Sequence, residues 1–146
     1  MAITTQLDRT RIAELTARED ARLNENTKES GRTFERARVH LSGGVASSYQ
    51  LREPWPIYLE RGRGAKVWDI DGNEFLDFHN GFGSMVQGHA HPAITKAVNA
   101  RIELGTHFAA PTEDAIVVGE ELARRWGLPK WRYVNSGSEA TMDAIR

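Results

Sequence analysis

The run Tyr133-Val134-Asn135-Ser136-Gly137-Ser138-Glu139-Ala140 carries the strongest chemical signal in this sequence. Ser136 and Glu139 have the Ser-x-x-Glu spacing of a capping box, which sets where a helix begins. Gly137 leaves the backbone bare at that point, and Ser138 adds a hydroxyl, so an anion can approach the N–H groups of the first turn. Those groups and the helix dipole favour a phosphate by roughly 0.3–1 kcal/mol in an exposed site. On spacing alone, an ordinary capped helix is the commoner meaning of such a run. It is neither a Walker loop, since Gly-Lys-Ser/Thr is missing, nor a three-glycine dinucleotide fingerprint.

A second cluster is Asn80-Gly81-Phe82-Gly83, which leads to Gly88-His89-Ala90-His91-Pro92. Paired glycines around Phe82 imply tight backbone, and the ring then serves either as a wall of a ligand pocket or as plain core. Spacing alone favours core. His89 and His91 sit two apart, as a chelating pair on an extended segment would, but no third ligand stands at a recognisable spacing. Capping and turn hydrogen bonds are the better reading of both histidines, and no metal site is expected. The absence of cysteine removes disulfides, thiolate metal sites and a cysteine nucleophile.

Three regions must position these groups. Residues 1–41 are charge-dense and balanced. Leu7, Ile12, Leu15 and Leu23 predict one helix with a narrow apolar stripe, and a second after Ser30 buries Phe34, Ala37 and Leu41. This N-terminal helical extension is read either as a solvated arm or as a docking arm. Residues 42–91 form a small antiparallel β segment with loops. Ile57-Tyr58-Leu59, Lys66-Val67-Trp68-Asp69-Ile70 and Glu74-Phe75-Leu76-Asp77-Phe78 read as a three-stranded meander. Arg61-Gly62-Arg63-Gly64 and Asp71-Gly72-Asn73 supply its turns.

Residues 92–146 read as helix, helix, strand, helix. Pro92 opens the first helix, with Ile94, Ala97, Val98 and Ile102 on one face and Gly105 as its stop. Thr112 is placed to cap the second, which buries Ile116, Val118, Leu122 and Trp126 and ends at Gly127 and Pro129. Residues 131–134 predict a short strand feeding the helix that Ser136 opens. That helix has barely begun an apolar face at Arg146, and no stop signal follows. The sequence therefore reads as the front part of a longer protein.

Composition narrows the function classes. The 146 residues hold 19 Lys+Arg and 20 Asp+Glu, a net charge of -1, which argues against binding driven by nucleic-acid phosphates. At 40% hydrophobic and 27% charged, the chain reads as soluble and globular. No apolar run approaches the roughly 18 residues a membrane helix needs. The first residues lack the basic and apolar regions of a signal peptide, so a cytoplasmic protein is the default.

The motifs in order point to a family. They are Gly43-Gly44-Val45, Trp68-Asp69-Ile70-Asp71-Gly72-Asn73, Gly88-His89-Ala90-His91-Pro92, Gly105-Thr106-His107-Phe108-Ala109-Ala110-Pro111 and Val134-Asn135-Ser136-Gly137-Ser138-Glu139-Ala140. Together they closely resemble the class III pyridoxal-phosphate aminotransferases, and within them the glutamate-1-semialdehyde 2,1-aminomutase branch. The resemblance covers residues from about 30 to 146. It implies an α/β protein of the fold-type I PLP-dependent transferases (aspartate aminotransferase-like), with residues 92–146 starting the PLP-binding large domain. It implies pyridoxal 5'-phosphate as cofactor, small-molecule amine and keto substrates, and a homodimer with shared active sites. Neither nucleic acid nor membrane is implied as a partner.

Carried over residue by residue, the resemblance makes Ser136, Gly137 and Ser138 the cofactor-phosphate loop. Ser47, or its neighbour Ser48, and Phe82 line the substrate side. The branch usually has tryptophan where Phe82 stands; phenylalanine keeps the apolar wall and loses the indole N–H. The family's Schiff-base lysine and its acidic pyridinium partner lie beyond the phosphate loop. Lys28, Lys66, Lys96 and Lys130 match neither position, so no catalytic residue is assigned here and these residues alone are expected to be inactive. The competing reading is a non-catalytic binding or interaction module. A third keeps the fold and cofactor but makes the reaction a decarboxylation or racemisation.

Overall fold

Thr27 divides the N-terminal region into two helices. In the computed structural model, which describes residues 7–146, α1 (Arg9–Asn26) and α2 (Lys28–Ala37) meet at this fully buried threonine. Its hydroxyl donates to the Leu23 carbonyl at 2.8 Å and accepts from the Trp55 indole at 3.0 Å. A threonine bonded back to its own helix competes with the helical ladder, and its φ of −128° and ψ of 39° leave the helical region. Asp8 caps α1 by accepting from the Arg11 N–H at 2.9 Å. The expected apolar stripe of α1 is thin: Leu15 and Leu23 are half-buried, while Leu7 and Ile12 are exposed. Residues 1–6 of the extension lie outside the described residues.

The cap of α2 comes from 41 or more positions away. Asp71 accepts from the Glu29 N–H at 2.6 Å, the Ser30 N–H at 3.0 Å and the Ser30 hydroxyl at 2.7 Å. Ser30 is fully buried and its oxygen also accepts from the Tyr58 N–H at 3.2 Å. On α2, Phe34 and Ala37 are half-buried as the spacing predicts. Leu41 departs from the expectation: it lies past the helix end and is 43% exposed.

The sheet is a meander in the order β1-β2-β3, all antiparallel. Its strands are β1 (Leu59–Arg63), β2 (Lys66–Asp69) and β3 (Glu74–Leu76). The first strand lies later than expected, because Arg61, Gly62 and Arg63 pair with β2 instead of forming a turn. The reversal is made at Gly64 and Ala65 alone, with Arg63 paired to Lys66. Inside the second turn, the buried Asp69 carboxylate accepts from the Asp71 N–H at 3.1 Å and the Asn73 N–H at 2.7 Å. The Asn73 amide donates to Asp69 and, at 2.8 Å, to the Asn26 carbonyl at the end of α1. Trp68-Asp69-Ile70-Asp71-Gly72-Asn73 is thus a fully bonded knot that holds both helices to the sheet.

The described residues fall into two units, 7–97 and 98–146. Helix α4 (Pro92–Ile102) runs across their boundary. The second unit contains α5 (Glu113–Trp126) and α6 (Gly137–Ile145). Thr112 takes the N-cap position of α5 with extended backbone, yet its side chain makes no capping bond. Glu113 and Asp114 in the first turn and Arg124 and Arg125 in the last complement the helix dipole instead.

Two expectations fail in these helices. Among the described residues no strand pairs with residues 131–134, so they form none here. Tyr133 is held instead by its hydroxyl, which donates to the Ala115 carbonyl at 2.9 Å. The apolar face of α5 is also not buried: Ile116, Val118 and Trp126 are 61%, 49% and 62% exposed, with only Leu122 half-covered. On α4, Ile94, Val98 and Ile102 are exposed in the same way.

Candidate active site

The substrate-side loop begins where α2 meets a pair of glycines. Gly44 has φ +71°, and a Cβ there would stand 2.4 Å from the Phe34 ring, so only glycine fits. The Tyr58 hydroxyl donates to the Gly44 carbonyl at 3.1 Å. This fixed entry delivers the chain to Ser47 and a single 3₁₀ turn, Ser48–Gln50. The Gln50 amide oxygen folds back to accept from the Ser47 N–H at 3.2 Å. Both serines are exposed.

Across from that turn stands the one-turn element α3 (Asn80–Gly83), whose backbone is mostly left-handed. Asn80, Gly81 and Phe82 have φ of 50°, 54° and 56°. Such a conformation is costly for the two residues with side chains and persists only where surrounding bonds impose it. Asp77 provides them, accepting from the His79 and Asn80 N–H groups at 2.9 Å each. Within the turn, His79 Nδ1 accepts from the Phe82 N–H at 3.4 Å.

The outcome is an exposed aromatic, not a core one. Phe82 is 75% exposed, which overturns the reading that spacing alone favours. Tyr49 meets the Phe82 ring edge-on at 5.1 Å and lies parallel to His79 at 6.2 Å; His79 and Phe82 are 4.3 Å apart. Through Tyr49 the structure brings the Ser47–Ser48 segment beside Phe82. Sequence reasoning missed Tyr49, His79 and Asp77. The available signal was Asp77 standing two and three residues before His79 and Asn80, the spacing at which a carboxylate bonds backbone N–H groups ahead of it.

The histidine motif serves the same turn. His89 Nε2 donates to the second Asp77 oxygen at 2.7 Å. That bond, helped by the Asn80 and His79 N–H groups, holds the Asp77 carboxyl below its ordinary value of 3.8. His91 contributes its carbonyl to the first turn of α4, accepting from the Thr95 N–H at 2.9 Å. Among the described residues, no group of three His, Asp or Glu side chains could hold a metal ion.

In the second unit, Ser136 is the N-cap of α6, with extended backbone. Its hydroxyl oxygen accepts from the Glu139 N–H at 3.2 Å, while the Glu139 carboxylate accepts from the Asn135 N–H at 2.8 Å. This cap, one residue off the reciprocal capping box that the spacing predicts, leaves Gly137 and Ser138 opening the helix, where N–H groups have no intrahelical acceptor. No atom lies within 4 Å of where a Cβ on Gly137 would be. The mouth of the helix is therefore open to an anion. A separate groove of about 620 Å³ runs past Arg101, Phe108 and Asp114, and none of the candidate residues lines it.

A family model described as Aminotransferase class-III matches residues 48–146, and the chain belongs to that family. Its fold class is the α/β fold-type I of PLP-dependent transferases, of which these residues form part. Glutamate-1-semialdehyde 2,1-aminomutase of Methanocaldococcus jannaschii is 41% identical over 114 residues, which are 77% of this chain and 27% of that protein. An omega-transaminase structure from Sphaerobacter thermophilus shows a TM-score of 0.76 and 44% identity, covering 80% of this chain and 27% of that one. A variant of glutamate-1-semialdehyde aminomutase from Pseudomonas aeruginosa, solved in complex with PMP, gives 0.87 and 34% identity over 95% of this chain and 31% of that one. The chain spans about a quarter of the length of the curated relatives it matches.

Proposed function

We propose that these residues are the N-terminal part of a pyridoxal-phosphate enzyme that moves an amino group on a small amino acid or amino-aldehyde substrate. The observation that carries this reading is the open first turn of α6, with Ser136 consumed as cap and Gly137 presenting no side chain. A phosphate monoester fits it, because two free N–H groups, the Ser138 hydroxyl and the helix dipole all favour negative charge there. The Glu139 carboxylate is drawn back to accept from the Asn135 N–H and the Ser136 hydroxyl. When bound, pyridoxal phosphate supplies the electron sink that lets a proton leave the amine-bearing carbon.

The chain's own residues would divide the remaining work. Gly137 and Ser138 would hold the phosphate and so orient the cofactor, with Ser136 shaping the turn as its cap and offering its backbone. Ser47, with Ser48 beside it, offers a hydroxyl to polar substrate atoms, and Phe82 supplies an apolar wall that excludes water. Lys28, Lys66, Lys96 and Lys130 are not assigned the proton-shuttling role, so the 146 residues alone would be inactive. That lysine and its acidic partner would belong to the rest of the protein, as would the remainder of the large domain begun at residue 92. A homodimer with shared sites, usual for this family, completes the proposal. The matched relatives include both an aminomutase and a transaminase, which supports amino-group chemistry in general.

The test is cofactor titration of the full-length protein. Addition of pyridoxal phosphate should give the yellow absorbance of a lysine-bound cofactor, and an amine donor should bleach it. Gly137→Asp should weaken cofactor affinity by about 100-fold, because it places a carboxylate where the phosphate sits. Affinity for pyridoxal, which lacks the phosphate, should barely change. A protein that stays colourless with pyridoxal phosphate would overturn the proposal.

A further inference from the structure

Gly88 and His89 of the histidine motif, Gly62 of β1 and the turn glycine Gly64 converge on one carboxylate. His89 is locked to β1 and to the turn that follows it. Its N–H donates to the Gly64 carbonyl at 2.9 Å, and its carbonyl accepts from the Gly64 N–H at 2.8 Å. Its ring lies on Gly62 so closely that a Cβ there would stand 2.6 Å from the imidazole. The ring then donates to Asp77 Oδ2 at 2.7 Å. Asp77 is itself anchored by its N–H, which donates to the Ala65 carbonyl at 2.9 Å. Its other oxygen takes the two N–H groups that open the left-handed turn.

Exposure follows the same order. The Asp77 and His89 side chains are 13% and 25% exposed, whereas Phe82 at the tip is 75% exposed. A part-buried, sheet-anchored base thus holds an exposed aromatic in a backbone state that Asn80 and Phe82 would not choose unaided.

We propose that Asp77, seated by His89, is a positioning residue for substrate binding: it sets the left-handed turn that presents Phe82 and His79 to the substrate. The proposal rests on the reading of Phe82 as substrate wall. It treats Asp77 as touching neither substrate nor cofactor. Removing its carboxylate should therefore weaken binding of the amine substrate and leave the chemical step nearly intact.

The experiment uses the full-length, cofactor-loaded protein and the best donor from L-alanine, L-glutamate, 1-phenylethylamine and glutamate 1-semialdehyde. Asp77→Ala should raise KM about tenfold with kcat within about threefold, the profile of lost uniform binding. Phe82→Ala should behave alike, and the double variant should be no worse than the larger single one, since both act through one wall. Asp77→Asn should restore KM to within about threefold, because its amide oxygen still accepts both N–H groups. Amide exchange at residues 79–84 should quicken in Asp77→Ala and recover in Asp77→Asn. Should Asp77→Ala fail to fold, His89→Ala carries the same test with a smaller rise in KM.

Fully additive losses, or a fall in kcat at unchanged KM, would overturn the positioning role. If Phe82→Ala leaves KM unchanged in a cofactor-loaded protein, the wall assignment has failed instead. If no donor is turned over, the proposed function fails, and unchanged exchange at residues 79–84 in Asp77→Ala would then reject the clamp independently.

Discussion

The two units of this chain hold their candidate site residues by different physics. In residues 7–97 the buried side chains are largely polar: Thr27, Ser30 and Asp69 are wholly covered, and Val67 nearly so. Hydrogen bonds between residues 28 to 47 positions apart tie α1 and α2 to the Asp71-Gly72-Asn73 turn and to the segment before β1. In residues 98–146 no residue is buried, and most hydrogen bonds link neighbours three or four positions apart. The turns carrying Ser47 and Phe82 are held by bonds between residues 14 and 12 positions apart, whereas the first turn of α6 is held by a cap within four residues. A substitution in the first unit should travel. One in the second should stay where it is made.

The largest effect is expected at Gly44. Gly44→Ala puts a Cβ 2.4 Å from the Phe34 ring and 2.9 Å from Arg38 Cγ, at φ +71°. Overpacking together with a left-handed residue should cost about 3 kcal/mol. Denaturant unfolding measures the loss, and amide exchange should show it spreading into α2. Stability within error of the wild type would mean that Phe34 does not fix this loop.

Asp71→Ala comes next. It strips the acceptor from two N–H groups at the head of α2 and from the buried Ser30 hydroxyl, at a cost of about 2 kcal/mol. The pH dependence has a definite sign. Partial burial opposes ionisation of Asp71, but the Ser30 hydroxyl and the Glu29 and Ser30 N–H groups outweigh it, leaving the carboxyl below its ordinary 3.8. Asp77 is lowered as well, chiefly by His89. A depressed carboxyl stabilises fully above its unfolded value and loses that contribution as pH falls through the folded one. The first unit should therefore weaken below about pH 4, and Asp71→Ala should flatten that slope. An unchanged acid transition in the variant would remove Asp71 from the explanation.

The same contrast accounts for what could be read from sequence. The helix cap at Ser136, the helices from Arg9 and Glu113 and the Asp-Gly turn are local, and residue spacing reveals them, although Glu139 reaches the Asn135 N–H and not the Ser136 N–H. Residues 131–134 have no ladder partner among the described residues, and a partner is what spacing cannot supply. Phe82 shows the limit most clearly. Its flanking glycines announce a tight turn, but whether the ring faces inward or outward depends on Asp77, and Asp77 depends on His89 and β1. The α2 cap is similar: nothing near Ser30 in the sequence indicates that its acceptor is Asp71.

Two smaller effects bear on the second unit. Ser136→Ala removes the N-cap acceptor of the Glu139 N–H and should cost about 1 kcal/mol. Amide exchange should show that loss confined to the first turn of α6. Spread of the change into α5 would break the comparison between the units.

Glu121→Gln should have the smallest effect, although Glu121 is the more perturbed acid. Arg124 and then Arg125 hold its carboxyl down at about 2, at 2.7 and 2.6 Å. Asp71 is shifted less and should matter far more. Both arginines are exposed and return to water when the pair is broken, so no group is left unsatisfied. The donors bound by Asp71 include a wholly buried hydroxyl that has nowhere else to turn. Glu121→Gln should therefore leave the melting temperature unchanged at pH 7 in moderate salt. A drop matching that of Asp71→Ala would show that α5 relies on its exposed charges as strongly as α2 relies on its distant cap.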